Sequence, residues 1–289
     1  MPLRRVLSSL GWSALTLTVA SVTNTYRFKT TLQEATLPGL TKPLRVAHLS
    51  DLHYGLFVGP LIVKAWVDAT LAAKPDLIVI TGDFLDGHFR APGRGTMLRE
   101  LARLQAPLGV WGVWGNHDWT SLNTNAQRIR FAERLRVNGV QLINNAGVQV
   151  RDDVYVAGVD DWWFGAQDLD AALRHYQGGA ILLLAHNPDY LPHVPSKVGL
   201  TLCGHTHGGQ VRLPMIGPLK RSTLMRPLQG WVRGDAIVTS PAEGRAGVEG
   251  ENHALGFVSR GLGVTGLPVR FACPAEVAIL DLHPPDFPF

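Results

Sequence analysis

The chain has 289 residues, 46% of them hydrophobic and 17% charged, a globular composition that excludes a disordered polyelectrolyte. Lys and Arg number 27 against 23 Asp and Glu, so the net charge is only +4, which argues against a surface built to grip nucleic acid. The two cysteines, Cys203 and Cys273, exclude a disulfide scaffold and an all-cysteine zinc site.

Residues 6–26 carry no charge and lie between Arg4, Arg5 and Arg27, Lys29. The stretch is long enough to span a bilayer, although Ser8, Ser9, Ser13, Thr16, Thr18 and Ser21 interrupt it. A basic segment before an apolar one is also the pattern of a secretory signal. Residues 1–43 are therefore expected to be a signal or membrane anchor followed by a linker over 28–43, where Pro38, Gly39 and Pro43 lie. The protein is accordingly expected to be membrane-associated or exported, with the flanking charges leaving the side of the membrane undecided.

Residues 44–289 read as one domain. Short apolar runs each end in a polar motif: Leu44–Leu49 in Ser50-Asp51-Leu52-His53, Asp76–Ile80 in Thr81-Gly82-Asp83, Gly109–Trp114 in Gly115-Asn116-His117-Asp118, Ala180–Leu184 in Ala185-His186-Asn187, and Leu200–Cys203 in Gly204-His205-Thr206-His207. Runs of this length, rich in Val, Ile and Leu, suit strands buried on both faces. Residues 58–73 and 124–137 carry helical spacing, through Leu61, Trp66 and Ala69 and through Ile129, Phe131 and Leu135. Strands alternating with helices predict an α/β architecture. Shorter strands over 140–150, 154–159, 255–260 and 275–282 predict a second sheet packed on the first.

In open α/β sheets the ligand crevice lies beyond the carboxyl ends of the strands. The side chains delivered there are Asp51, His53, Asp83, Asn116, His117, His186, His205 and His207. Any one of these motifs alone is ordinary turn chemistry; five in succession, each closing an apolar run, are not. Residues i and i+2 of an extended segment point the same way, so Asp51/His53 and His205/His207 can each aim two groups at one cavity. Carboxylates, imidazoles and an amide without a thiolate suit Mn, Fe or Zn. Seven candidate ligands, all of these but His117, exceed the four of one tetrahedral ion and suit two divalent ions roughly 3.5–4 Å apart. His48, His88, His175, His193, His253 and His283 fall outside the pattern and read as structural.

The series Asp51-x-His53, Gly82-Asp83, Gly115-Asn116-His117-Asp118, His186 and Gly204-His205-x-His207 resembles the calcineurin-like metallophosphoesterase superfamily, in family order over residues ~44–283. The resemblance implies a four-layer α/β/β/α sandwich. It also implies Asp51, His53, Asp83 and His207 at one metal and Asp83, Asn116, His186 and His205 at the other, with Asp83 bridging and manganese favoured. Gly208-Gly209-Gln210, Arg260-Gly261-Leu262-Gly263 and Pro268-x-Arg270 resemble a bacterial, often membrane-associated branch that includes phosphodiesterases and a hydrolase of UDP-diacylglucosamine. The chain departs from the family's phosphoprotein phosphatases, which carry an Arg directly after the second metal aspartate; here Phe84 follows Asp83. Residues 235–251 look like an insertion relative to the branch, a candidate mobile loop.

The expected activity is metal-dependent phosphoester hydrolysis, by a phosphodiesterase or pyrophosphohydrolase working at or near a membrane through a two-metal-activated hydroxide. The substrate would be a phosphoester, lipid-linked or a nucleotide-diphosphate lipid. A soluble nuclease, a cyclic-nucleotide phosphodiesterase and a non-catalytic metal scaffold are the alternatives. His117 follows a ligand without being one and is the expected general acid, with Asp86 as its orienting partner. Asp118 reads as a helix cap. Cys203 reads as a small buried hydrophobe. The segment 212–233 mixes apolar residues with Lys220, Arg221, Arg226 and Arg233, and reads either as a rim for an acyl chain or anionic lipid surface or as a solvated loop.

Overall fold

The computed structural model describes residues 24–87, 93–225, 228–234 and 254–285. Most of the uncharged N-terminal stretch, the segment 235–253, His88 and His253 lie outside the described residues. No helix among the described residues is long and apolar enough to cross a membrane.

In chain order the chain forms β1 (Phe28–Thr36), β2 (Leu44–Leu49), α1 (Pro60–Ala72), β3 (Leu77–Thr81), α2 (Arg94–Leu101), β4 (Val110–Val113), α3 (Asn116–Ser121) and α4 (Asn125–Val137). There follow β5 (Gln141–Leu142), β6 (Ala146–Arg151), β7 (Val154–Gly158), α5 (Leu169–Leu173), β8 (Ala180–Leu184) and β9 (Leu200–Cys203). The last elements are a small hairpin, β10 (Arg212–Leu213) and β11 (Gly217–Pro218), then β12 (Gly230–Arg233), β13 (Leu255–Val258) and β14 (Ala275–His283). One six-stranded sheet has the order β1-β14-β2-β3-β4-β5 and the other β12-β13-β9-β8-β7-β6.

Alternate residues of the same strands reach opposite sides, as the continuous apolar runs require. Val46, Leu77, Val79 and Val113 of the first sheet meet Val156, Leu182, Leu184 and Leu202 of the second in the central layer. Ile78 and Ile80 point outward against Trp66 of α1, Leu98 of α2 and Phe131 of α4. Ile181 and Leu183 point outward on the other side, with Ala172 of α5 and Leu191 of a 3-10 turn at Pro188–His193. The result is the four-layer α/β/β/α sandwich. The helical spans stand, but their buried faces are set by Val63, Trp66 and Val67 and by Phe131 and Leu135, whereas Leu61 and Ile129 are exposed. Thr124 starts α4 by reciprocal capping with Gln127.

Two expectations are corrected. The linker expected from residue 28 is a strand as far as Thr36: β1 pairs in parallel with β14 over nine residues, and Leu37 and Leu40 beyond it pack into the central core. Its sequence is polar because it is a sheet edge, with alternate side chains in solvent. The boundary expected at residue 44 therefore falls inside the fold. Likewise β5 and β14 belong to the first sheet and β8 and β9 to the second, because pairing partners are chosen across long separations that local pattern does not encode. A chain lacking residues 1–40 is expected to lose several kcal/mol of stability, since it strips β14 of a complete row of hydrogen bonds worth ~0.5–1.5 kcal/mol each. Urea unfolding reads this; an unchanged midpoint would show β1 to be dispensable.

Asp153, buried between β6 and β7, pins the β1–β2 connection to the second sheet. Its Oδ2 accepts the N–H and Oγ1–H of Thr41, each at 2.7 Å, and Arg151 pairs with the same carboxylate. Burial raises this carboxyl's pKa, but the Arg151 and Thr41 hydrogen bonds outweigh it and hold the group below the usual carboxylate range. A depressed folded-state pKa contributes stability that is fully present above the unfolded value of about 3.9 and lost as pH falls below it. Asp153→Asn is expected to destabilise by about 1–2 kcal/mol at neutral pH. The gap to wild type should close below about pH 4; a gap that persists in acid would assign the loss to packing.

Candidate metal centre

The five motifs gather at one end of the sandwich because β2, β3 and β4 run parallel in one sheet, β7, β8 and β9 in the other, and each motif follows its strand's carboxyl end. The motifs are not extended there. Asp51, His53, Asp83, His205 and His207 have φ of 53°, 45°, 54°, 70° and 51°, all left-handed. The i, i+2 expectation is corrected accordingly: alternating sharp turns, not an extended pleat, aim each pair inward. Left-handed backbone costs a non-glycine residue roughly 1–3 kcal/mol and persists only where the surroundings over-determine it. Here Asp51 N–H is held by Gly82 O, His53 N–H by Asp83 O, and Gly263 N–H by Asp51 O. Glycine at 115 and 263 is required by close approach, since a Cβ would collide with the Asp83 carboxylate or with Leu52 O.

All seven expected ligands are buried and converge. Asp83 Oδ2 lies 3.3 Å from both His53 Nε2 and His186 Nε2. His53 Nε2 is 3.0 Å from His207 Nε2, which is 3.5 Å from Asp51 Oδ1. On the other side Asn116 Oδ1 is 3.0 Å from His186 Nε2 and 2.9 Å from His205 Nδ1. The ring protons are placed by the far nitrogens: a carbonyl only accepts, so His186 Nδ1–H donates to Thr81 O at 2.7 Å and His205 Nε2–H to Ser222 O at 3.0 Å. That leaves one lone pair of each ring facing Asn116 Oδ1, an arrangement of acceptors that a cation resolves and that fits divalent metal. With protein groups alone, protons take that place. Burial disfavours charged His186, but Asp83 outweighs it and lifts its pKa to about 10. Burial likewise raises Asp83, yet the facing His186 and His117 hold it well below the carboxylate range. Burial, then His186, pushes His205 down to about 3.

His117 opens α3 beside this cluster. Its backbone N–H donates to Asp83 Oδ1 at 2.8 Å, and its ring lies edge-on to His53 with centroids 4.6 Å apart. One atom each from His53, Asp83 and His117 come within 4.8 Å of one another, so proximity alone would admit His117 as a ligand. Gly87 N–H reaches its Nδ1 at 3.3 Å, however, which in the neutral ring leaves the proton on Nε2. Asp86, buried one residue before that donor, accepts Ser121 Oγ–H through its carbonyl. His48 is buried with its Nε2 2.8 Å from Thr81 Oγ1.

Three supporting residues carry roles that the sequence did not reveal. Arg270 is completely buried and donates to the carbonyls of Arg260, Gly261, Gly263 and Cys273, bracing the loop that presses on Asp51; its guanidinium is also 3.3 Å from His207 Nδ1. Asp118, expected as a cap, also clamps two ligand loops by accepting N–H from Phe84, Leu85 and Gly115, and burial followed by Asp83 takes its pKa to about 7. Asp161, after β7, accepts the N–H groups of Trp163 and Phe164 and keeps Oδ1 without a hydrogen-bond partner among the described residues; burial takes its pKa to about 6. Its position after a parallel strand of the same sheet is the signal that could have found it. The turn it holds sets Trp163 edge-on to His205 at 4.4 Å. From this floor opens a cleft of about 1260 Å³ lined by Trp163, Phe164, Val211, Leu219 and Leu267, with Lys220 and Arg221 among them. Residues 219–224 of the segment 212–233 thus line the cleft.

The family profile described as calcineurin-like phosphoesterase matches residues 44–209. An uncharacterized metallophosphoesterase of Bacillus subtilis, YkuE, is 29% identical over 87% of this chain and 83% of the relative. The phosphodiesterase YaeI of Escherichia coli is 30% identical over 83% and 82%. The UDP-2,3-diacylglucosamine pyrophosphatase LpxG of Chlamydia trachomatis is 26% identical over 82% and 83%.

Proposed function

The chain belongs to the calcineurin-like phosphoesterase family, and we propose that it hydrolyses the phosphodiester or diphosphate bond of an amphiphilic substrate at a centre of two divalent cations. The observation that carries this reading is Asp83 Oδ2, equidistant at 3.3 Å from an imidazole on either side. Asp51, His53, Asp83 and His207 would hold one cation, and Asp83, Asn116, His186 and His205 the other. Carboxylate and amide oxygens mixed with imidazoles put manganese first among the candidates. When bound, the cations supply Lewis acidity, neutralising charge on the phosphoryl oxygens and lowering the pKa of the attacking water.

The chain's own residues do the rest. Asp118, Gly115 and Arg270 hold the ligand loops in their left-handed turns, so that little reorganisation remains when charge builds up on the substrate. His117, as the imidazolium, gives the departing oxygen its proton and is left as the neutral ring, and Asp86 is the proposed positioning residue. Trp163 and Phe164 give the cleft an apolar lining beside the reacting bond, and Lys220 and Arg221 meet the negative charge of the part that leaves. Apolar walls beside cations suit a lipid-linked phosphate or a nucleotide-diphosphate lipid, and the relative named for UDP-2,3-diacylglucosamine supports that choice. The uncharged stretch from residue 6 is in keeping with a chain anchored in or exported across a membrane. Phe84, buried where the phosphoprotein phosphatases carry an arginine, argues against a phosphoprotein. A screen of the metal-loaded enzyme should give a diester or diphosphate lipid a kcat/KM at least ~10-fold above a phosphomonoester, a difference of about 1.4 kcal/mol in transition-state stabilisation. Preference for the monoester would overturn the reading.

A further inference from the structure

The β10–β11 hairpin belongs to neither large sheet and stands at the mouth of the cleft. Its turn, Pro214-Met215-Ile216, carries Met215 fully exposed and Ile216 at 73% exposure, and Leu219 and Leu267 beside it are 61% and 74% exposed. Single exposed apolar side chains are ordinary, but four large aliphatic ones around one opening mark an interaction surface. Met215 is held at a φ of 63°, a strained conformation for a residue with a Cβ, so the backbone is bent against its preference while the thioether points into water. No packing within the described residues repays that strain.

Charge identifies the partner. Arg212 precedes the turn and Lys220 and Arg221 follow the hairpin, and none of the three forms a salt bridge among the described residues. Aliphatic side chains at a tip with cations behind it match the headgroup region of an anionic bilayer, where the tip enters the acyl boundary and the cations meet lipid phosphates. The patch is also continuous with the cleft wall through Leu219 and Leu267. We propose that the β10–β11 hairpin, with Leu267, is an interfacial anchor that seats the mouth of the cleft on an anionic lipid surface. The inference concerns adhesion and holds whatever bond the centre cleaves.

The test uses the full chain and vesicles of phosphatidylcholine with or without phosphatidylglycerol. Wild type should sediment with the anionic vesicles, and Met215→Ser with Ile216→Ser should lower partitioning ~10–100-fold. Each of Lys220→Gln and Arg221→Gln should lower it about fivefold, with a matching fall as salt is raised. The hairpin variant should hydrolyse a small soluble aryl ester as wild type does, because Met215 and Ile216 lie outside the cleft lining. A local probe separates the hairpin from any other lipid-binding segment of the chain. Both native cysteines are buried, so Met215→Cys can be labelled selectively with an environment-sensitive fluorophore. Its emission should shift to the blue on anionic vesicles and be quenched by a spin-labelled lipid. Emission that stays at its value in water on anionic vesicles would overturn the proposal. A double variant that loses ester hydrolysis has misfolded, and the fluorophore then decides alone.

Discussion

Asp83→Asn is expected to lower kcat/KM by on the order of 10³-fold, equivalent to about 4 kcal/mol of lost transition-state stabilisation. The substitution preserves volume. It keeps an oxygen for the His117 N–H, which Asp83 Oδ1 accepts at 2.8 Å. What changes is the other terminus, which now presents an N–H₂ donor and no charge midway between His53 and His186. A donor there points its hydrogens at the place where both halves of the centre need an anion, so both halves should lose affinity together. Elemental analysis distinguishes this from a simple loss of activity: Asp83→Asn should hold almost no metal, whereas Asp51→Asn, whose Oδ1 lies 3.5 Å from His207 Nε2 while the same carboxylate also accepts the His205 backbone N–H, should lose about one ion per chain. An Asp83→Asn protein with its metal content intact would remove Asp83 from between two sites.

The apolar runs were legible because strands such as Leu77–Thr81 and Ala180–Leu184 are buried on both faces, so nearly every residue is constrained to be apolar. Each candidate ligand was legible because it breaks such a run, at the end where an α/β sheet forms its crevice. β1 was not, because one of its edges faces solvent and its alternation of Thr, Gln and Glu with apolar residues resembles a loop. Sheet membership of β14 was not, because its neighbours β1 and β2 lie more than two hundred residues away in sequence. The left-handed turns at Asp51, His53, His205 and His207 escaped for a different reason. They are imposed by the neighbouring Gly82, Gly204 and Gly263 backbones closing on them, not by the preference of Asp or His. Arg270 shows the same limit: its four carbonyl partners lie three to ten residues away in loops whose meeting only the fold brings about.

His117→Ala is expected to separate proton transfer from metal binding. The side chain is not needed to complete either ligand set, and its backbone N–H to Asp83 survives the substitution, so metal content should be unchanged. The loss should instead depend on the leaving group. A departing alkoxide has a high pKa and needs a proton in the transition state, whereas a nitrophenolate leaves well unaided. Only the imidazolium form of His117 can give up a proton in the ordinary pH range, leaving the neutral ring behind. The variant should therefore lose ~10²–10⁴-fold on an alkyl diester and less than about 10-fold on an aryl diester. The acidic limb of the alkyl-ester pH profile should persist, while the limb that reports loss of the donated proton at higher pH should disappear. Asp86→Asn tests the proposed positioning role and should show the same selectivity in milder form. His205→Ala should damage both esters equally through loss of metal. Equal losses on the two esters for His117→Ala, with both metals retained, would assign His117 to gripping the phosphate and leave the departing oxygen to take its proton from water.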